Sequence, residues 1–170
     1  MRRTVRIGAL IVLLTVVQVA LFPHLRVLGA VPDLGLLLAL AVAYRDGPEA
    51  GLVTGFFAGL CFDLFLETPT GLCALSYSLT AYAVGVLQAG VLRAPRFVAV
   101  FLGGLGGLVA GTGFVVIGVL VGADVGFTYH TFALLGASAL YDAALAPFVF
   151  ALTDRVLGRA PEPVPTWWAR

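Results

Sequence analysis

The sequence predicts an all-α integral membrane protein, a bundle of about six transmembrane helices with both termini on the cytoplasmic side. Of its 170 residues, 61% are hydrophobic and only 11% are charged, against about 45–50% apolar and about 25% charged residues in soluble domains. The apolar residues form long uncharged runs, and a helix needs about 20 such residues to cross a bilayer. This composition excludes a conventional soluble domain, and a net charge of +1 offers no basic face for nucleic acid.

The uncharged runs define the helices. Four of them are long enough to cross a bilayer or nearly so. Two shorter runs, 34–44 and 50–62, become full spans only if Asp33 and Asp63 lie within the membrane. We therefore predict a single domain of residues 1–159, with helices at about 6–25, 29–45, 48–66, 71–92, 96–122 and 131–153.

Local chemistry supports several of these boundaries. Pro32, Pro48 and Pro95 each suit the first turn of a helix, where a missing N–H costs nothing. Asp33 and Glu49 follow two of them directly, at the position where the positive end of a helix favours an anion.

The last eleven residues, 160–170, form a separate cytoplasmic tail in this prediction. Its three prolines, Pro161, Pro163 and Pro165, prevent the last helix from continuing. Trp167 and Trp168 then act either as an interfacial anchor, since Trp is common at the headgroup level, or as a docking peptide.

The arginines orient the bundle, because cytoplasmic loops are enriched in basic residues. With the N-terminus inside, only Arg26 faces outward, and without the second helix Arg93 and Arg96 would do so as well. The arginines predicted to be cytoplasmic are Arg2, Arg3, Arg6, Arg45, Arg93, Arg96, Arg155, Arg159 and Arg170.

Small residues spaced by four mark three helices. A stripe of this kind lets another helix approach closely, which is how membrane helices gain packing energy. Each stripe either packs within the bundle or receives the transmembrane helix of a partner. The stripes are Gly51, Gly55 and Gly59 on the third helix, Ala81, Gly85 and Ala89 on the fourth, and Gly103, Gly107 and Gly111 on the fifth.

Three aspartates fall in or near the predicted spans, where an ionised carboxylate needs a partner or water. Asp33 and Asp63 are expected toward the outer ends of adjacent helices, with Arg26 as a counter-ion. Asp142 is expected in mid-span beside Tyr141, hydrogen-bonded to Tyr, Ser or the backbone. These polar residues are structural anchors, a ligand or proton site, or partner contacts.

No residue pattern points to catalysis, to a metal site or to a cofactor. His24 and His130 lack acids or cysteines at metal-ligand spacing. Cys61 and Cys73 are either two small apolar side chains or a disulfide near the outer face.

The order of motifs over residues 32–75 resembles the MreD family of rod-shape-determining proteins. The resemblance begins with Pro32-Asp33 before a leucine-rich helix and continues with Arg45 and Gly47-Pro48 at a tight turn. It ends with the Gly51 to Asp63 stripe and with Pro69-x-Gly71. Asp142 departs from it, because a neutral polar residue such as Asn is expected there.

This resemblance implies a non-enzymatic scaffold of the bacterial cell-elongation machinery in the inner membrane. It implies MreC as the direct partner, with MreB, RodZ, RodA and a class B penicillin-binding transpeptidase as further members of the complex, and it leaves self-association open. The basic residues Arg45, Arg93, Arg96, Arg155 and Arg159 would then face cytoplasmic partners or anionic membrane lipid.

A second function class remains open at this point. Six short helices with few charges also resemble the substrate-binding subunit of an energy-coupling-factor vitamin transporter, a resemblance that implies a shared bundle architecture. Such a subunit needs a pocket with convergent polar groups. The candidates for those groups are Asp33, Asp63, Tyr77, His130 and Asp142.

Overall fold

The computed structural model describes residues 2–21, 29–66, 70–91, 97–122 and 128–158. Over these ranges the prediction of an all-helical bundle is confirmed. The six helices are α1 (Arg2–Leu21), α2 (Leu34–Asp46), α3 (Pro48–Asp63), α4 (Leu72–Val91), α5 (Phe97–Val121) and α6 (Tyr129–Leu157).

Three segments of these helices are long and apolar enough to cross a membrane: Arg3–Leu21, Val98–Val121 and Tyr129–Leu157. Large apolar side chains such as Val16, Phe101 and Leu140 are exposed on the outside of the bundle. An apolar surface of this extent is stable against lipid and not against water. The fold is therefore that of a helical membrane protein.

The centre of the bundle is α2. Every residue from Leu34 to Ala43 is buried, as expected for a helix that is apolar on all sides. Its 13 residues span about 20 Å, which is less than the hydrocarbon thickness of about 30 Å. The other helices surround α2, so its ends meet protein groups inside the bundle.

The turn between α2 and α3 is a single residue. Gly47 has φ 96°, a backbone conformation that glycine adopts without strain, and its N–H donates to the carbonyl of Ala43 at 3.0 Å. Pro48 begins α3 and Glu49 lies in its first turn, as their positions in the sequence predict. The two helices consequently run antiparallel.

One end of the bundle carries the described arginines. Arg6 donates to the carbonyl of Val156 at 3.1 Å, and Arg45 forms an ion pair of 3.2 Å with Asp154. The beginning of α1 and the ends of α2 and α6 therefore lie together, at what we call the arginine end. We call the other end, where α2, α4 and α6 begin, the distal end.

Two helix boundaries differ from the expected ones in an informative way. The second helix begins at Leu34 rather than near residue 29, so Asp33 precedes it. The last helix, Tyr129–Leu157, has 29 residues and extends beyond the expected 131–153 at both ends, with Pro147 inside it. A proline within a helix removes one hydrogen bond, and neighbouring helices in a membrane protein compensate for that loss.

Candidate functional site

Two aspartates, Asp33 and Asp142, lie together inside the bundle. Asp33 is the residue immediately before α2. The Asp142 side chain is fully buried, and its Oδ1 accepts a hydrogen bond of 2.7 Å from the N–H of Asp33. Among the described residues its Oδ2 has no hydrogen-bond partner. The partner of Asp142 is thus the start of the central helix, rather than the Tyr, Ser or freed carbonyl expected from the sequence.

The Asp33 carboxylate also has neighbours on other helices. Its Oδ1 accepts a hydrogen bond of 3.3 Å from Nε2 of Gln18, near the end of α1. The buried Tyr77 side chain of α4 lies beside it. Three helices, α1, α4 and α6, therefore converge on Asp33.

A cavity of about 280 Å³ lies on the distal side of this pair. Residues before α2 such as Val31 line it, together with Phe114 of α5 and Leu134 of α6. Asp33, Tyr77 and Ser138 contribute polar atoms to its wall, and the remainder is mostly apolar. Ser138 is already occupied, since its hydroxyl donates to the carbonyl of Val31 at 3.1 Å.

Asp63 has a different environment from the other two aspartates. It is buried at the end of α3 and accepts hydrogen bonds from the N–H groups of Gly71 (2.8 Å), Cys73 (3.1 Å) and Ala74 (3.2 Å). These are the unpaired donors at the start of α4, where the helix dipole favours a negative charge. Asp63 thus anchors α4, and the expected outer cluster of Asp33 with Asp63 is divided into two separate sites.

The glycine stripe of α3 faces inward. A Cβ built on Gly55 would lie 2.8 Å from the carbonyl oxygen of Tyr77, and one built on Gly59 would lie 2.5 Å from Cα of Ala74. Gly51 meets Ala43 of α2 in the same way. Backbone atoms of α2 and α4 occupy the space where these side chains would be.

The other two stripes also meet helices of this chain. On α4, Ala81 is fully buried, and a Cβ on Gly85 would lie 2.5 Å from Cα of Pro48. On α5, the glycines Gly103, Gly107 and Gly111 face α6. The side chain of Ala89, the third member of the α4 stripe, is outside the described part of the structure.

Ion pairs hold the arginine end together. Asp46 pairs with Arg3 of α1 and with Arg45, the latter at 3.3 Å, and Arg45 also reaches Asp154 of α6. The Arg45 side chain is only 4% exposed, so its charge is used in ion pairs within the bundle. Arg155, by contrast, is exposed. The predicted basic residues Arg93, Arg96 and Arg159 lie outside the described residues, as do Arg26 and the tail at 160–170.

With this geometry described, the chain can be compared with known proteins. A family model described as rod shape-determining protein MreD matches residues 1–156. The chain belongs to the MreD family. No curated protein and no solved structure matches it. The family consists of shape-determining membrane proteins that are not known as enzymes, and no group of His, Cys, Asp and Glu in the described residues could hold a metal ion.

In this MreD protein, the motifs over residues 32–75 build one structural unit. Gly55 and Gly59 of the α3 stripe pack against α4, and this interface ends where the Asp63 carboxylate accepts the N–H of Gly71. Within the described residues, the α3 stripe and Gly71 of the second motif therefore lie at one contact between α3 and the start of α4. Cys61 and Cys73 are not joined and remain free thiols.

A second cavity of the MreD bundle has no counterpart in the sequence analysis. It is a groove of about 670 Å³ between α1 and α3, lined by apolar residues such as Ile7, Ile11 and Phe57. Gly8 lies in its wall, and a Cβ built there would meet nothing within 4 Å. The spacing of residues along α1 alone does not signal this groove, because it depends on where α3 lies.

Proposed function

We propose that this MreD protein is a non-catalytic scaffold subunit of the bacterial cell-elongation complex, which binds the transmembrane region of MreC. In this role it would help to couple MreB filaments inside the cell to peptidoglycan synthesis outside. The match to the MreD family over residues 1–156 is the observation that carries the proposal. It also favours this function over that of a vitamin-transporter subunit.

We place the protein in the bacterial inner membrane with the arginine end in the cytoplasm. Four arginines support this orientation, because all of them lie at the arginine end, where α1 begins and α6 ends. They are Arg3, Arg6, Arg45 and Arg155. Basic residues flank the cytoplasmic side of membrane helices.

We propose further that the groove between α1 and α3 receives the MreC helix. The glycine stripes already face helices of this chain, whereas Gly8 faces open space. Close approach of a partner helix needs a small residue of this kind. The exposed carboxylate of Glu49 lies at the arginine end of the groove, where it suits the basic segment that precedes a single-pass helix on the cytoplasmic side.

The test is co-purification of MreC with tagged protein extracted gently from its native membrane. Gly8→Leu should abolish recovery of MreC while the protein keeps its thermal stability, because a Cβ at this position meets nothing within 4 Å and the rest of the side chain extends into the open groove. Gly136→Leu is the matched control: Gly136 also lies within a helix with nothing within 4 Å of a built Cβ, and this variant should recover MreC normally.

Two results would contradict these proposals. If Gly8→Leu recovered as much MreC as the unmodified protein, the partner would dock elsewhere. If the unmodified protein recovered transporter ATPases and a coupling subunit instead of MreC, the scaffold function itself would be wrong and the transporter subunit would replace it.

A further inference from the structure

We propose that the cavity above the start of α2 binds a small organic cation, an ammonium group with an apolar substituent, with Asp33 as its direct anionic partner. This site is separate from the groove between α1 and α3, and the proposal does not depend on MreC binding.

The charge of the site is the first argument. Asp33 lines the cavity, and the fully buried Asp142 lies behind it with Oδ2 unpartnered among the described residues. That oxygen points toward Gly107, a residue of the cavity wall, since a Cβ built on Gly107 would lie 2.5 Å from it. The described arginines lie at the opposite end of the bundle, about 18 Å away along α2 for Arg45.

The lining of the cavity is the second argument. Phe62, Phe114 and Tyr77 contribute aromatic side chains to its wall. Aromatic faces together with a carboxylate are the surroundings that favour ammonium ions. A metal ion is a poorer fit, because the described residues contain no cluster of metal-ligating side chains.

The size of the cavity limits the ligand. Its volume of about 280 Å³ is at the lower limit of ligand pockets, which hold roughly 300–1,000 Å³. The space suits a single small molecule or the amine-bearing end of a larger one, and is too small for a whole phospholipid.

The experiment compares 2-phenylethylammonium with its uncharged counterpart 2-phenylethanol on the purified full-length protein in lipid nanodiscs. We expect the ammonium compound to raise the melting temperature with a saturable concentration dependence, because a ligand that binds only the folded state stabilises it. The alcohol controls for nonspecific partition into lipid and should have little effect.

Two variants assign the effect to this site. Asp33→Asn removes the carboxylate that lines the cavity and should lose the ammonium effect. Asp142→Asn keeps an oxygen that can accept the N–H of Asp33 but removes the second carboxyl group, so it should fold at least as well as the unmodified protein and weaken the effect. Asp154→Asn, which removes an exposed carboxylate at the arginine end, should retain it.

The proposal is overturned by any of three results. The ammonium compound could leave the melting temperature of the unmodified protein unchanged, the alcohol could stabilise it equally, or Asp33→Asn could keep the full effect. The comparison of the two compounds on the unmodified protein decides the question even if a variant fails to fold.

Discussion

Buried carboxylates in a bilayer are stable only where donors or cations compensate them, and the aspartates of this protein meet that requirement differently. Asp63 uses both oxygens to accept three backbone N–H groups at the start of α4. Asp142 uses one oxygen for the N–H of Asp33 and leaves the other without a partner among the described residues. Asp63 is therefore a structural anchor with both oxygens hydrogen-bonded, whereas one oxygen of Asp142 has no hydrogen bond from the described residues.

At Asp63, two substitutions separate hydrogen bonding from packing. Asp63→Asn keeps one accepting oxygen but turns its amide toward backbone donors, so we expect it to lower the free energy of unfolding by about 1–3 kcal/mol. Asp63→Leu leaves all three donors unsatisfied and should cost more. Unfolding in detergent, followed by circular dichroism, measures both. Equal and severe losses would show that the negative charge itself is required, and no loss in Asp63→Asn would contradict the anchor.

At the scale of the elements, the interface of α3 with α4 depends on the absence of side chains at Gly55 and Gly59. The atoms they approach belong to the backbone of α4, which cannot rotate away as a side chain can. The short helix α2 has a complementary role, since its limited length leaves room for the cavity above Asp33. Helix packing is therefore tight between α3 and α4, whereas it leaves a cavity above the start of α2.

A glycine at this interface and a glycine on the open face of α6 should respond in opposite ways to substitution. Gly55→Leu should destabilise the bundle by at least about 1–3 kcal/mol, the usual cost of overpacking, because the new side chain meets the carbonyl of Tyr77. Gly136→Ala should be neutral or stabilise by about 0.5–1 kcal/mol, since it places a better helix former in open space. Thermal unfolding of both variants in the same detergent checks this pair. A normally stable Gly55→Leu protein would show that α3 does not face α4 at this position.

At the scale of the whole molecule, the exposed apolar faces and the arginine end define how the bundle lies in a membrane. The distal end carries the cavity and the anchored start of α4, and in the proposed orientation it faces away from the cytoplasm. In the proposed scaffold function, the protein would act through the sides and the ends of its bundle. The groove beside α1 and the cavity above α2 are places on the described structure with room for another molecule.

The orientation can be tested with single cysteines in a protein whose Cys61 and Cys73 have been replaced by Ala. Tyr129→Cys at the distal end should react with a membrane-impermeant maleimide added from outside the inner membrane. Arg155→Cys at the arginine end, and a cysteine between Arg93 and Arg96, should react only after that membrane is opened. The reverse labelling pattern would invert the proposed topology.

Sequence alone determined the features that depend on composition and local spacing. Long uncharged runs predicted a helical membrane bundle, because lipid accepts only a backbone whose hydrogen bonds are satisfied within the segment. Pro48 and Glu49 marked the start of α3, because proline and acids suit the first turn of a helix. The order of motifs from Pro32 to Gly71 indicated the family.

Only the tertiary structure decided which residues meet. Asp33 and Asp142 are 109 positions apart, and no local pattern pairs them in preference to Asp33 and Asp63. The glycine stripes signalled close packing in the sequence, but the identity of the helix facing each stripe depends on how all six helices are arranged. The groove at Gly8 and the cavity above Asp33 likewise arise from the unequal lengths and positions of packed helices, which are properties of the assembled bundle.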